Sequence, residues 1–382
     1  QVGGLPRARF LPISPHDLLE LVALQTGILR GSMDILKFPE NCLDVLAQFL
    51  IGLSIIKEWD IDDAYELASA SWPYRNLPYD DYIEVLDLLE DERRVWIDWE
   101  DNRFGKRGFA QMIYYTNIGT IAPNNNYLVF TSDGTMVGQL SSSFVSSLRN
   151  GDVFLLGGST YRVSSIRGTR VNVSPATGYR PTIPSWTGEA NSRTHELSQE
   201  VLELLEEVAT YARLEKDPMT IFTDILGLNR PVAHAVSGFF QEHVATTFQV
   251  PSNDLILVEQ VEAPLPTYIV TTCRGRAFNL ALGHLFAGIA TNDNIIVHEL
   301  SFDENGFMIK LSHEVEISLI PEIFKQGNSK DVLQKHMMES QLFAKRFREV
   351  SSRSMLNPRR IGAEEVSPKQ FQQRAEQIMQ KH

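Results

Sequence analysis

Cysteine is nearly absent. Cys42 and Cys273 are the only two in 382 residues, far apart and with no CxxC pair. That excludes a disulfide framework and a cysteine zinc site, and it suits a reducing compartment. The nine histidines never fall into HExxH or HxH, so the usual histidine metal motifs are missing as well. No apolar run reaches the ~18–20 residues of a bilayer span; the longest, Val45 to Ile56, is interrupted by Gln48. Basic charge is in deficit, with 35 Lys and Arg against 48 Asp and Glu and a net charge of −13. A uniformly basic coat is thereby excluded, although a local basic groove is not. There is no GxxxxGK[ST] phosphate loop, because Gly105-Lys106 lacks both the preceding glycine turn and a following hydroxyl. Nor is there a nucleophile elbow or a distinctively spaced carboxylate pair. By itself the chain shows no catalytic apparatus.

What is present is ordinary globular material, 43% hydrophobic and 22% charged, long enough for two or three domains. The chain opens at Gln1 rather than Met, without a signal-peptide pattern, and is expected to be part of a longer protein. A short extended piece, Arg9 to Ile13, leads to a helix opened by Ser14-Pro15, with Leu18, Leu19, Leu21 and Val22 as its apolar run. Three helical patterns follow, Cys42–Ile56, Asp60–Ser71 and Tyr79–Glu90. An alternating stretch from Arg94 to Trp99 and a basic turn at Gly105-Lys106-Arg107-Gly108 come next. Three short helices before a strand pair is the pattern of a winged helix.

From Ile113 to Pro175 the signal becomes β, with short runs at 127–131, 135–140, 153–156, 161–166 and 170–173. Glycine turns such as Gly157-Gly158 separate them, which predicts a small antiparallel barrel-like sheet. Beyond Glu196 helices near 197–214, 230–247 and 277–290 mix with strands at 254–261 and 267–272. A hairpin at Asp303–Gly306 and two helices between 331 and 356 complete the pattern. The fold class expected is multi-domain α+β: a winged helix, a small antiparallel β-barrel-like domain, then a mixed α/β domain.

Charge is unevenly placed. Residues 41–100 hold 15 acidic and 4 basic side chains, whereas residues 101–190 hold 4 acidic and 8 basic. The second stretch, with Lys106, Arg107, Arg162, Arg167, Arg170 and Arg180, is a candidate phosphate-contacting surface or a set of solvated hairpin arginines. A second island around Lys345, Arg346, Arg348 and Arg353 places Arg346 and Arg353 on one helical ridge. It reads equally as a nucleic-acid contact or a salt-bridged helix surface. Trp186 stands alone among polar residues in a loop stiffened by Pro181 and Pro184. It can stack on an unpaired base or seal the barrel against the next domain. The other four tryptophans, Trp59, Trp72, Trp96 and Trp99, are expected in the core.

These motifs converge on one family. Pro39-Glu40-Asn41-Cys42-Leu43-Asp44-Val45-Leu46-Ala47-Gln48 resembles the PxNxLDVLAQ signature of the large helicase-related (Lhr) proteins, which are superfamily 2 DNA helicases. Asp152-Val153-Phe154-Leu155-Leu156-Gly157-Gly158 is similar to their GDVFLLG hairpin. Pro184-Ser185-Trp186-Thr187-Gly188-Glu189 with Arg193 is similar to their PxWxGE…R element. Phe343 to Val350 with Arg353 is similar to their FxxRFREVxxR helix. Tyr161 stands where the family usually has Trp, and the loop Thr120 to Pro123 is one residue longer than its GTIP form.

The resemblance implies that residues 1–38 are the tail of a second RecA-like motor domain and 39–112 the winged helix. Residues 113–185 would be the β-barrel-like domain and 186–382 the mixed α/β C-terminal part of the Lhr core. It implies a 3′-to-5′ translocase that couples ATP hydrolysis to unwinding of DNA or RNA:DNA. ATP and Mg2+ would sit upstream with the Walker and DExH motifs, so this chain alone is expected to bind neither and to be inactive. It would be the strand-guiding half, binding single-stranded DNA or a DNA/RNA hybrid, in the cytoplasm or on a nucleoid and not at a membrane. The residues expected on the strand are Trp186, Arg193, Arg162, Arg170, Arg180, Lys106, Arg107, Arg346 and Arg353. The rival expectation is a stand-alone, non-catalytic module that binds single-stranded nucleic acid or a partner protein.

Overall fold

The computed structural model describes residues 4, 8–32, 34–121, 127–141, 144, 145, 148, 150–167, 170–178, 192–214, 219–247, 249–316, 328–362 and 364–382. The chain forms two compact units, neither continuous in sequence: residues 1–36 group with 190–339, and residues 37–189 group with 340–382. This grouping differs from the expected consecutive division at both ends, because packing partners lie far apart in the sequence. The first helix, α1 (Pro15–Arg30), starts as the sequence indicates. Ser14 accepts from the Asp17 amide, the Asp17 carboxylate accepts from the Ser14 amide, and Pro15 takes a first-turn position.

In the unit of residues 37–189 and 340–382 the winged-helix order is complete. It runs α2 (Leu43–Ile56), β1 (Trp59–Asp60), α3 (Ile61–Ser69), α4 (Tyr79–Asp91), β2 (Val95–Asp98) and β3 (Arg103–Lys106), with an antiparallel sheet ordered β1-β3-β2. Leu46, Leu50, Ile51, Ile61, Leu86 and Leu89 interlock beneath it, fully buried. Three details correct the sequence reading. Gly105 and Lys106 belong to β3, and the hairpin turn is the acidic Trp99-Glu100-Asp101-Asn102. Asn102 closes it at φ 53°, a left-handed position that asparagine tolerates. Trp72 and Trp99 are 55% and 51% exposed rather than core; the Arg75 guanidinium covers the Trp72 ring instead, 3.6 Å from its centroid. Finally α5 (Ala110–Asn117) occupies the start of the stretch read as β.

The next five strands are β4 (Tyr127–Thr131), β5 (Met136–Leu140), β6 (Val153–Leu156), β7 (Ser159–Arg167) and β8 (Arg170–Pro175), paired in the order β5-β4-β8-β7-β6. The expectation of an antiparallel sheet fails at its centre. There β4 and β8 run parallel, since β8 reaches β4 after the β6–β7 hairpin rather than through a tight turn. Val129, Leu140, Phe154, Val163, Val171 and Val173 line the inner face. The sheet curls far enough that a Cβ on Gly138 of β5 would lie 3.0 Å from Leu156 of β6, at the opposite edge. Gly157-Gly158, at φ 59° and 80°, form the two-residue β6–β7 turn that the sequence indicates.

In the other unit α1 packs with α6 (His195–Arg213) and α7 (Arg230–Thr247) around Val201, Val208, Phe222 and Phe240. Four antiparallel strands follow in the order β11-β12-β10-β9. They are β9 (Leu257–Val261), β10 (Thr267–Thr271), β11 (Val297–Phe302) and β12 (Gly306–Leu311). Helix α8 (Arg276–Asn292) covers this sheet, and α9 (Ser329–Met338) packs on α8. His284 of α8 and His336 of α9 meet with their Nδ1 atoms 3.1 Å apart. Burial holds both rings below the ordinary histidine pKa, and at His284 the facing His336 adds to the effect.

The chain then returns to the winged helix through α10 (Gln341–Arg353) and α11 (Pro368–Lys381). Arg94, 6% exposed, receives the return. Its Nε donates to the Met355 carbonyl at 2.8 Å, Nη2 to Leu356 and Nη1 to Glu92, each at 2.9 Å. Asn117 and Arg360 exchange two further bonds at 2.8 and 3.0 Å, and Lys381 reaches Glu92 at 3.0 Å.

Two tests follow from this packing. Arg94→Ala strands buried carbonyls whose bonds to a charged donor contribute ~1.5–3 kcal/mol each, so denaturant unfolding should show a loss of roughly 3 kcal/mol or more. Arg94→Lys should not restore it, because an ammonium lacks the planar fork. The histidine pair sets a pH dependence of known sign. The folded chain takes up protons on these rings less readily than the unfolded chain, which does so once the pH falls below about 6.5. Stability should therefore hold above that pH and decline below it. In His336→Gln, thermal melting followed from about pH 7.5 to 5 should show a flatter decline.

Candidate nucleic-acid interface

Alternation along the curled sheet decides which arginines share a surface. Val163, Val171 and Val173 point inward, so Arg170, Asn172 and Ser174 of β8 point outward. On β7 a bulge between Val163 and Ser165 shifts the alternation by one residue. Without it Arg167 would face opposite to Arg162; with it both lie on the outer face. The cross-strand pairs there are Arg167 with Arg170, Ser165 with Asn172, and Arg162 with Ser174. Arg162 and Arg170 thus share a face but are not neighbours. They lie four β8 positions apart, about 13 Å at ~3.3 Å per residue, and Arg167 is the true partner of Arg170.

Arg170 and Asn172 have defined seats on this face. The Arg170 guanidinium stacks 3.8 Å from the Phe130 ring centroid, and its Nε donates to Asn172 Oδ1 at 3.0 Å. The amide of Asn172 donates in turn to Ser165 Oγ at 3.0 Å. Arg162 is half-buried on the central part of β7, and the exposed Arg167 side chain makes no hydrogen bond or ion pair with a described residue. A row of guanidiniums, one pre-oriented by an aromatic ring and an amide, can grip successive phosphates without reading sequence.

The other expected contacts are scattered. Lys106 is exposed, with Nζ donating to Gln111 Oε1 at 3.2 Å, and Arg107 pairs with Glu90 at 3.6 Å. Arg346, 57% exposed, pairs along its own helix with Glu349 at 3.0 Å. Arg353 reaches across to Asp44 at 2.6 Å, which ties α10 to the first turn of α2. Arg180 and Trp186 lie outside the described residues. Arg193 is the clearest departure: its side chain is 3% exposed, and all five N–H groups are engaged. They donate to Ser198 Oγ, Glu20 Oε2, Asn305 Oδ1 and the carbonyls of Cys273 and Glu304, at 2.8 to 3.3 Å. No donor is left over in this arrangement, which makes Arg193 a buried tie.

The winged helix itself points away from groove reading. Its third helix, α4, exposes Asp80, Glu84, Asp87 and Asp91. Burial, Glu90 and Asp91 hold the Asp87 carboxyl above its ordinary pKa, as expected in a crowded acidic face. Such a surface opposes a phosphate backbone. Neither glycine pair makes a phosphate cradle, since Gly157-Gly158 is a hairpin turn and Gly105 lies inside β3. Neither therefore offers the backbone cradle that ATP with Mg2+ needs. Among the described residues no group of three or more His, Cys, Asp or Glu is placed to hold a metal, and no helix is long and apolar enough to cross a membrane.

The first and last of the family-like motifs are tied into the structure by long-range hydrogen bonds. Asn41, at φ 49°, donates to the Asn76 carbonyl, and Gln48 exchanges two hydrogen bonds with the backbone of Gly119. Asp44 and Arg353 join the first and last motifs across 309 positions. Residues 26–183 match the family model for the winged-helix domain of large helicase-related protein, and residues 250–381 match that for the DEAD/H-associated domain. The "ATP-dependent helicase Lhr-Core protein 2" of Thermococcus barophilus is 31% identical over 97% of this chain and 44% of its own length. The chain belongs to the Lhr family. The "ATP-dependent helicase Lhr-Core" of Methanothermobacter thermautotrophicus is 33% identical, covering 94% of this Lhr chain and 43% of its own. The structure of Mycobacterium smegmatis helicase Lhr bound to ssDNA and AMP-PNP has the same fold, with a TM-score of 0.68 at 20% identity over 97% of this chain and 44% of that one. The chain thus spans less than half the length of these Lhr relatives.

Replacing Arg193 distinguishes a tie from a contact. Arg193→Ala should lower thermal stability by roughly 3–5 kcal/mol, as loss of a buried charged partner does. Single-stranded DNA affinity per folded molecule, followed by fluorescence anisotropy, should stay within about twofold.

Proposed function

We propose that this chain is the strand-guiding, nucleic-acid-binding part of an ATP-dependent 3′-to-5′ DNA or RNA:DNA helicase, whose motor motifs belong to other parts of the full-length protein. The observation that carries the reading is the outer sheet face, where Arg162, Arg167 and Arg170 are aligned by the β7 bulge and Arg170 is stacked on Phe130. In a protein of net charge −13 such a face is the natural seat for a polyanion. The relatives named as ATP-dependent helicases, and the Lhr structure solved with ssDNA, support the same assignment. Trp186 completes the proposal as a base-stacking platform. Lys106, Arg107, Arg180 and Arg346 would be secondary phosphate contacts. ATP and Mg2+ would act in the full-length enzyme, which would work on nucleic acid inside the cell.

The division of labour is electrostatic. Arginines that hold the backbone give sequence-independent grip, and a stacking indole gives a point at which a base pauses. Polarity would be read on the full-length enzyme, as unwinding of duplexes with a 3′ rather than a 5′ single-stranded tail.

For the chain itself, titration with single-stranded DNA over a series of salt concentrations is the test. Arg167→Ala with Arg170→Ala should weaken binding evenly across sequences and flatten the log–log salt slope by ~0.7 per arginine removed. Trp186→Ala should cost ~1–3 kcal/mol of strand affinity with little change in melting temperature. Unchanged affinity in both variants, with the fold intact, would leave the protein-binding module as the better reading.

A further inference from the structure

A cavity of 620 Å³ lies within the unit of residues 37–189 and 340–382, between the end of α4, the start of α5 and the returning segment after Pro358. Four arginines line it: Arg93, Arg94, Arg107 and Arg374. Their charges are unequally answered. Arg107 has Glu90 at 3.6 Å, while Arg94 is held by carbonyls alone. The side chains of Arg93 and Arg374 make no hydrogen bond or ion pair with any described residue. The two acids on the wall, Asp91 and Glu92, already face Lys381 at 3.6 and 3.0 Å. What remains is a concentration of positive charge: two guanidiniums with no partner among the described residues, and a buried third, Arg94.

The rest of the lining is largely apolar. Phe109 is 74% exposed and Ile361 46%, with Met112 between the two in sequence. An adjoining groove shares Arg374 and adds the amides of Gln370, Gln373 and Gln377. A forked guanidinium pair recognises phosphate oxygens, an open aromatic ring takes a flat base, and side-chain amides suit base edges. The volume falls in the range of small-molecule sites.

We propose that this pocket binds a nucleoside phosphate, free or as the phosphorylated end of a strand, with Arg93 and Arg374 on the phosphate and Phe109 against the base. The site is separate from the outer sheet face and does not depend on the strand-guiding reading. Its two sources share one chemistry, and one set of titrations tells them apart.

The experiment is calorimetric titration of the whole chain with AMP and with adenosine. Anisotropy measurements follow with oligothymidylates of about eight nucleotides carrying a 5′-phosphate or a 5′-hydroxyl. AMP should bind saturably and adenosine at least about tenfold more weakly. Arg374→Gln should reduce AMP affinity by about tenfold. Arg93→Asn should do the same; asparagine accepts the φ of 56° at this exposed position, so the fold is preserved. A 5′-phosphate that tightens oligonucleotide binding in the wild type but not in Arg374→Gln identifies the strand end as the source. AMP binding without that gain identifies the free nucleotide. Absence of phosphate-dependent binding to the wild type, or AMP affinity unchanged in both folded variants, overturns the proposal.

Discussion

A guanidinium sealed inside a protein must be answered by dipoles or by charge. Arg94 is answered by dipoles: three carbonyls surround it, and two of them belong to Met355 and Leu356, more than 250 positions away. Burial, with Arg374 nearby, depresses its pKa to about 10, which still leaves it charged at neutral pH. The winged helix is consequently not a free-standing module. Arg94, between α4 and β2, is fully answered only when the segment after α10 has come back to supply the acceptors. The other long-range ties, Asp44 with Arg353 and Asn117 with Arg360, register that return and orient it.

The same unit keeps opposite charges on different elements. The helix α4 is acidic on its exposed side, whereas the curled sheet carries arginines on its outer face. For a polyanion this is a directional field, repelled by one element and attracted to the other. A winged helix is commonly the part of a protein that reads a groove. Under the proposed reading that part serves as a scaffold, and the β-sheet is the element whose charge suits a strand.

How much was legible in sequence follows from the range of the interactions concerned. The helices of the winged helix and the glycine turns are local, and Leu43–Ile56, Tyr79–Asp91 and the Gly157-Gly158 hairpin lie where periodicity and turn chemistry place them. The two-residue strand β1 has no period to detect. The parallel β4–β8 pairing depends on strands some forty positions apart, and the β7 bulge that aligns Arg162 with Arg167 leaves no trace in residue type. Arginine is ambiguous for the same reason. Arg193 and Arg170 look alike in a charge count, yet one has every donor engaged in the interior and the other stacks on an open ring. The acidic excess of residues 41–100 was readable, and it foretold the character of α4.

The interleaving of the two units also has a consequence for how the chain is made. Residues 190–339 leave the ribosome between the two halves of the winged-helix unit. At ~5–20 residues per second, that interval is roughly 8–30 s. Through it the nascent winged helix stands with its guanidinium unanswered and the apolar surface that later meets Met355, Leu356 and Ile378 uncovered. The intervening unit, whose own pieces are already assembled by then, has time to fold first. Although most of the winged-helix unit is synthesised early, the last of its packing partners are synthesised only at the end.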